Sequence, residues 1–126
     1  SEDPVSEWDN HNKNLREKTD WLNSMNFSSL HYEGPGTSLE VGLALDHEWM
    51  GGASEAQNGI ICNPNIPSEE VFTTPHSLKV NGKVCSTKPL SYQGTLIEDI
   101  AVEFKDGKII NASSSKGEDV LLKVLD

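Results

Sequence analysis

Apolar residues near the N-terminus recur at three-, four- and seven-residue spacings, at Val5, Trp8, Leu15, Leu22 and Met25. These spacings place the side chains on one stripe of an α-helix, and His11 falls on the same stripe. Asp3-Pro4 is a helix-start signal, because aspartate caps free amides of the first turn and proline fits the first helical position. The pattern predicts an amphipathic helix over about residues 4–25, packed on a neighbouring sheet or domain.

Short apolar runs separated by turn residues follow after residue 27. Residues 37–45 and 96–104 alternate between apolar and polar positions, which is the period of a half-buried strand. Asp106-Gly107 predicts a tight turn into a further strand, and residues 120–125 predict a helix start. This order predicts an α+β fold: an N-terminal amphipathic helix, a mainly antiparallel β-rich partial domain, and a short C-terminal helix.

Two signals mark the middle of the chain. Asn81-Gly82 lies between two valine-containing runs and fits a type I′ turn, so it predicts a two-residue hairpin. Pro64 and Pro67 stiffen the stretch before residues 69–73 and exclude that stretch from a sheet interior. Residues 69–73 themselves are predicted to form a short strand.

The chain is acidic, since 20 Asp and Glu against 10 Lys and Arg give a formal net charge of −10. Such a charge repels nucleic-acid phosphates and anionic lipids, so we expect neither a nucleic-acid nor a membrane partner. Only 35% of the residues are hydrophobic. A share this low indicates that part of the packing surface belongs to something outside the chain.

Common catalytic motifs are missing from the sequence. Cys62 and Cys85 form no CxxC pair and are too few for a disulfide framework, so we expect reduced, partly buried thiols. His47-Glu48 begins an HExxH-like string, but Gly51 stands where the second histidine would be. There is no GxSxG elbow. We therefore assign no catalytic residue.

Glu69-Glu70 is the most interesting acidic pair. It follows the proline-stiffened stretch, and in a strand its two carboxylates would point to opposite faces, one into a pocket and one into water. A carboxylate on a rigid segment suits metal coordination, because a ligand must be held within fractions of an ångström. From these residues alone, a solvated acidic pair at a strand start is the favoured interpretation.

Several stretches together resemble the M29 metallo-aminopeptidases, the family of aminopeptidase S, aminopeptidase T and PepS. The most specific is PNIPSEEVFTTPH over residues 64–76. The others are residues 30–37, 49–52, 58–60, 87–92 and 96–99. Their order and spacing extend the resemblance over essentially the whole chain.

The resemblance implies a metal-dependent aminopeptidase that releases N-terminal residues from peptides, using two divalent metal ions of the Zn, Co or Mn class. It places the first metal-ligand glutamate at Glu70, with Glu69 as second choice, and the remaining ligands beyond Asp126. It also implies a cytoplasmic, homodimeric parent. Residues 1–26 would form a connecting helix and residues 27–126 the first part of the catalytic, metal-binding domain, truncated at its C-terminus.

Both ends of the sequence look like cuts, and one carboxylate cannot hold two metal ions. We therefore expect this piece to bind no metal tightly and to be inactive alone. A competing interpretation is a small acidic β-rich interaction or scaffold module without catalysis. A third, a structural calcium-binding domain, fits the charge but lacks a DxDxDG loop.

Overall fold

The computed structural model describes residues 2–125, which contain two helices and eleven short strands. The helices are α1 (Pro4–Met25) and α2 (Glu118–Leu125), and the strands are β1 (Ser29–Gly34), β2 (Thr37–Leu43), β3 (Met50–Gly51), β4 (Ser54–Glu55), β5 (Ile61–Cys62), β6 (Val71–Phe72), β7 (Pro75–Cys85), β8 (Leu90–Tyr92), β9 (Thr95–Ile97), β10 (Ala101–Lys105) and β11 (Lys108–Ser113). Every strand pairing is antiparallel, which confirms the predicted α+β class. Within residues 2–125, neither helix has the length and apolarity to cross a membrane.

The chain forms two units, each with its own packing. The helical unit comprises Ser1–Phe27 and Asp46–Thr74, and the sheet unit comprises Ser28–Leu45 and Pro75–Asp126. The chain therefore leaves the helical unit after α1, returns to it after β2, and ends in the sheet unit.

Helix α1 begins and ends as its local sequence dictates. The Asp3 side chain accepts a hydrogen bond from the Ser6 amide at 3.1 Å, and proline occupies the first turn. At the other end, Asn26 adopts a left-handed conformation with φ 47°, and its amide donates to the Leu22 carbonyl at 3.1 Å. These two caps confirm the predicted helix over residues 4–25.

Side-chain amides attach α1 to the rest of the helical unit at two places. Asn12 and Asn63 exchange two hydrogen bonds, at 2.8 and 2.9 Å. Asn23 accepts from the Trp49 amide at 2.8 Å and donates to the Trp49 carbonyl at 3.1 Å. Buried Leu15 lies between these two contacts on the same helix. Directional hydrogen bonds thus fix α1 near its middle and near its C-terminal end, and only Leu15 and Thr19 of this helix are buried.

Removal of the Asn23 contact is expected to weaken the helical unit. Asn23→Ala leaves both backbone groups of Trp49 without this partner, so we expect the free energy of unfolding to fall by about 1–2 kcal/mol. Urea denaturation followed by circular dichroism measures the change. Asn10→Ala on the same helix is the control, because Asn10 is exposed and the gain in helix propensity is the same. Equal stability of the two variants would contradict the prediction.

The sheet unit is built on five antiparallel strands in the order β1-β2-β7-β10-β11. The β8–β9 hairpin and α2 complete the unit, and α2 contacts β9 and β11. Its small core centres on Ile97, which is fully buried, with Leu121 of α2 and Leu43 of β2 also buried. The predicted hairpin at Asp106-Gly107 is confirmed by the pairing of β10 with β11.

The hairpin predicted at Asn81-Gly82 is wrong, because β7 runs straight through these residues. Gly82 pairs with Leu39 of β2 on one side and with Phe104 of β10 on the other. Its φ is +117°, and a Cβ atom at this position would collide with the Ser38 carbonyl oxygen. Glycine here serves the close approach of two strands rather than a type I′ turn.

Three further sequence-based expectations are corrected in detail. The predicted strand over residues 96–104 is broken at Asp99, where φ is 51°. The predicted strand over 69–73 shrinks to β6, which begins only at Val71. Cys62 is a free thiol as expected, but it is exposed rather than partly buried.

Candidate metal-ligand segment

Glu69 and Glu70 lie between β5 and β6 in a segment that α1 holds from one side. His11 Nε2 lies 2.7 Å from the carbonyl oxygen of Ser68, so this ring nitrogen carries a hydrogen and donates it. Ser68 is buried, although the residues on either side of it are exposed. The backbone immediately before the acidic pair is therefore fixed to the helix.

Strand pairing holds the same segment from the other side. Val71 pairs with Gly51, and Phe72 pairs with Met50, in the short β3–β6 ladder. A Cβ atom on Gly51 would lie 2.7 Å from the Glu70 carbonyl oxygen, so only glycine permits this approach. The two carboxylates are thus carried by a short stretch of backbone that is anchored before and after them.

The two carboxylates differ in their surroundings. The Glu69 side chain is 77% exposed, and its Oε2 lies 3.6 Å from His11 Nε2. It lines a cleft of about 550 Å³ beside α1, together with His11, Trp21 and Val71. Glu70 is also exposed and does not line this cleft. The first glutamate therefore lies beside α1, whereas the second is accessible and lies outside this cleft.

The described residues do not assemble a metal centre by themselves. Within residues 2–125, no three His, Cys, Asp or Glu side chains come together in an arrangement able to hold a metal ion. His76 has a local structural contact, since its Nδ1 accepts a hydrogen bond from the Leu78 amide at 3.1 Å. An accessible carboxylate on an anchored segment fits one ligand of a metal site, because hard cations prefer such oxygen ligands and borderline cations accept them.

Sequence reasoning missed the residues that anchor this segment. His11, Asn12 and Asn63 had no recognisable motif, and their partners are more than 50 positions away in the chain. The one available signal was the position of His11 on the apolar stripe of α1, because a polar side chain on a packed face needs a hydrogen-bonding partner.

Comparisons with known proteins agree over the whole chain. The family model described as thermophilic metalloprotease (M29) matches residues 1–126. Aminopeptidase T of Thermus thermophilus is 48% identical over 125 residues, which cover 99% of this chain and 31% of that protein. Aminopeptidase AmpS of Bacillus subtilis is 42% identical, with 99% and 30% covered. The structure of wild-type AmpT from Thermus thermophilus superposes with a TM-score of 0.93 at 47% identity, over 98% of this chain and 31% of that one.

Proposed function

Because this chain belongs to the thermophilic metalloprotease (M29) family, we propose that it is part of a metal-dependent aminopeptidase that hydrolyses N-terminal residues from peptides. The observation that carries this proposal is the 48% identity to aminopeptidase T over 99% of the chain. The chain spans about 31% of the length of that relative. We use the term parent enzyme for the proposed longer polypeptide that contains these residues.

Glu70 is proposed as one metal ligand of the parent enzyme. Its exposed carboxylate and the anchored backbone on both sides support this assignment. The remaining ligands of a two-ion site of the Zn, Co or Mn class would come from other parts of the parent. Bound metal ions of this kind activate a water molecule and polarise the scissile carbonyl. The contribution of this chain is to hold one carboxylate in place and leave it accessible.

The division of the parent enzyme also stays a prediction. Residues 1–26 would form a connecting helix, and residues 27–126 the first part of the catalytic domain. A homodimeric parent and a cytoplasmic location are further predictions that rest on the family resemblance.

The 126-residue protein is expected to be inactive on its own. One carboxylate cannot hold a pair of metal ions, and residues 2–125 bring no three metal-binding side chains together. We expect no release of N-terminal amino acids from aminoacyl-p-nitroanilides, and no tight binding of Zn²⁺, Co²⁺ or Mn²⁺ by titration calorimetry. The parent enzyme should release N-terminal amino acids, lose this activity on chelation, and regain it when metal is added back.

Two results would contradict these expectations. Metal-dependent hydrolysis by the purified 126-residue protein would show that the chain holds a complete site. A parent enzyme that releases no N-terminal residue with any of the three metals would remove the aminopeptidase assignment itself.

A further inference from the structure

The His11 side chain is held in one orientation by contacts on several sides. Its Nε2 donates to the buried Ser68 backbone at 2.7 Å. The Trp8 ring lies edge-on to the imidazole, with a centroid distance of 5.3 Å and an interplanar angle of 86°. Its side chain is only 27% exposed. An imidazole fixed in this way fixes in turn the carbonyl to which it donates.

Resting on the proposed function, we infer that His11 is a positioning residue for the metal-ligand carboxylate of Glu70. The Ser68 carbonyl, to which His11 donates, precedes Glu70 by two residues. A metal ligand must be held within about 0.5 Å of its productive position. A backbone that is tethered two residues before the ligand and paired in β6 one residue after it meets this requirement.

The adjacent residue on α1 strengthens this arrangement. Asn12 holds Asn63 through two hydrogen bonds, and His11 holds Ser68. Two neighbouring residues of one rigid helix therefore form hydrogen bonds with both ends of the stretch from residue 63 to residue 68. Two contacts prevent the stretch from rotating about either one of them. The direction of the backbone that leads to Glu70 is therefore fixed.

The hydrogen bond from His11 to the Ser68 carbonyl, rather than the contact of His11 with the Glu69 carboxylate, positions the segment. The distance from His11 Nε2 to the Ser68 oxygen is 2.7 Å, which is a short hydrogen bond, whereas the distance to Glu69 Oε2 is 3.6 Å and exceeds hydrogen-bonding range. Glu69 is also 77% exposed, and an ion pair so exposed to water is weak.

Variants of the parent enzyme separate positioning from ordinary stabilisation. His11→Leu removes the donor, and we expect the Kd for Zn²⁺ to rise about tenfold, at the lower end of the effect of losing a group that supports a ligand. His11→Gln places an amide donor at a similar distance from the helix and should restore most of the affinity. Hydrogen exchange of the metal-free protein over residues 63–72 should accelerate at least about tenfold in His11→Leu and not in His11→Gln.

Two controls match the leucine variant. Asp3→Ala removes the N-cap hydrogen bond to the Ser6 amide, so it weakens α1 itself without removing either anchor of the Glu70 segment. It should lower Tm while leaving the Kd for Zn²⁺ within about twofold. His31→Leu makes the same substitution at an exposed histidine of β1 and should change neither quantity.

The outcomes distinguish this inference from the proposed function. Equal increases of Kd in His11→Leu and Asp3→Ala would overturn positioning and leave only a structural role. Unchanged exchange over residues 63–72 in His11→Leu would overturn it as well. If the wild-type parent enzyme bound no Zn²⁺ and released no amino acids, the proposed function would fail, whereas the exchange comparison would still decide whether His11 fixes this segment.

Discussion

Glu70→Gln in the parent enzyme is expected to lower kcat/KM for the release of N-terminal residues by at least about 100-fold. Replacement of residues that merely support a metal ligand costs about 10- to 100-fold, so loss of a ligand should cost no less. Glutamine keeps the size of the side chain and removes its negative charge, which isolates the effect on the metal. Activity assays at saturating Zn²⁺, with metal content measured by mass spectrometry, provide the test.

Substitution of the neighbouring glutamate separates the two candidate ligands. Glu69 faces α1 and lies 3.6 Å from His11 Nε2, so Glu69→Gln is expected to cost less than about tenfold in kcat/KM. Glu33→Gln, at an exposed glutamate of β1, serves as the reference for a surface charge. A large loss in Glu69→Gln together with near-normal Glu70→Gln would transfer the ligand role to Glu69. Near-normal activity in both variants would exclude the acidic pair from the metal site.

Gly82→Val is expected to lower the free energy of unfolding of the 126-residue protein by about 3 kcal/mol or more. At φ +117° a side chain strains the backbone, and its Cβ atom would collide with the Ser38 carbonyl oxygen. The collision lies inside the sheet, between β2 and β10, where neither neighbour can move without losing its own pairing. Urea denaturation followed by circular dichroism measures the loss.

Substitutions at two other glycines separate the cost of backbone strain from the cost of the steric collision. Gly94 has φ +81° and no atom within 4 Å of a Cβ position, so Gly94→Val carries the backbone strain alone, about 1–2 kcal/mol. Gly34 also has open space around a Cβ atom and is not among the glycines with positive φ, so Gly34→Val should have little effect. If Gly82→Val cost no more than Gly94→Val, the close approach of β2 to Gly82 would not be what requires glycine.

Local sequence signals predicted an element correctly where its own hydrogen bonds join residues that are close in the chain. The bounds of α1 followed from the Asp3 cap, from Pro4 and from the apolar stripe, and the turn at Asp106-Gly107 followed from its two residues. The helix at the C-terminus and the antiparallel character of the sheet were predicted in the same way. For the two helices and the turn, the neighbouring residues contain both the donor and the acceptor that define the element.

The candidate site was predictable only in part. The motif around Glu70 is contiguous, so the resemblance found it, and its role as a ligand stays a prediction. The surroundings of Glu70 were not predictable, because His11 and Ser68 are 57 positions apart and meet only after α1 packs in its unit. The strand predicted over residues 69–73 was too long for a similar reason, since its partner β3 lies about 20 residues earlier and leaves Glu69 and Glu70 outside the ladder.

The sequence by itself determined where α1 begins and ends, the mixed α+β character and the acidic pair in its proline-rich context. Only the tertiary structure decided that Asn81-Gly82 continues a strand, and that His11 holds the backbone before Glu70. The physical reason is that a turn signal contributes on the order of 1 kcal/mol, whereas a central strand gains hydrogen bonds from neighbours on both sides. The neighbouring strands β2 and β10 are distant from Asn81-Gly82 in the chain. A local sequence pattern therefore cannot predict that the strand continues through these residues.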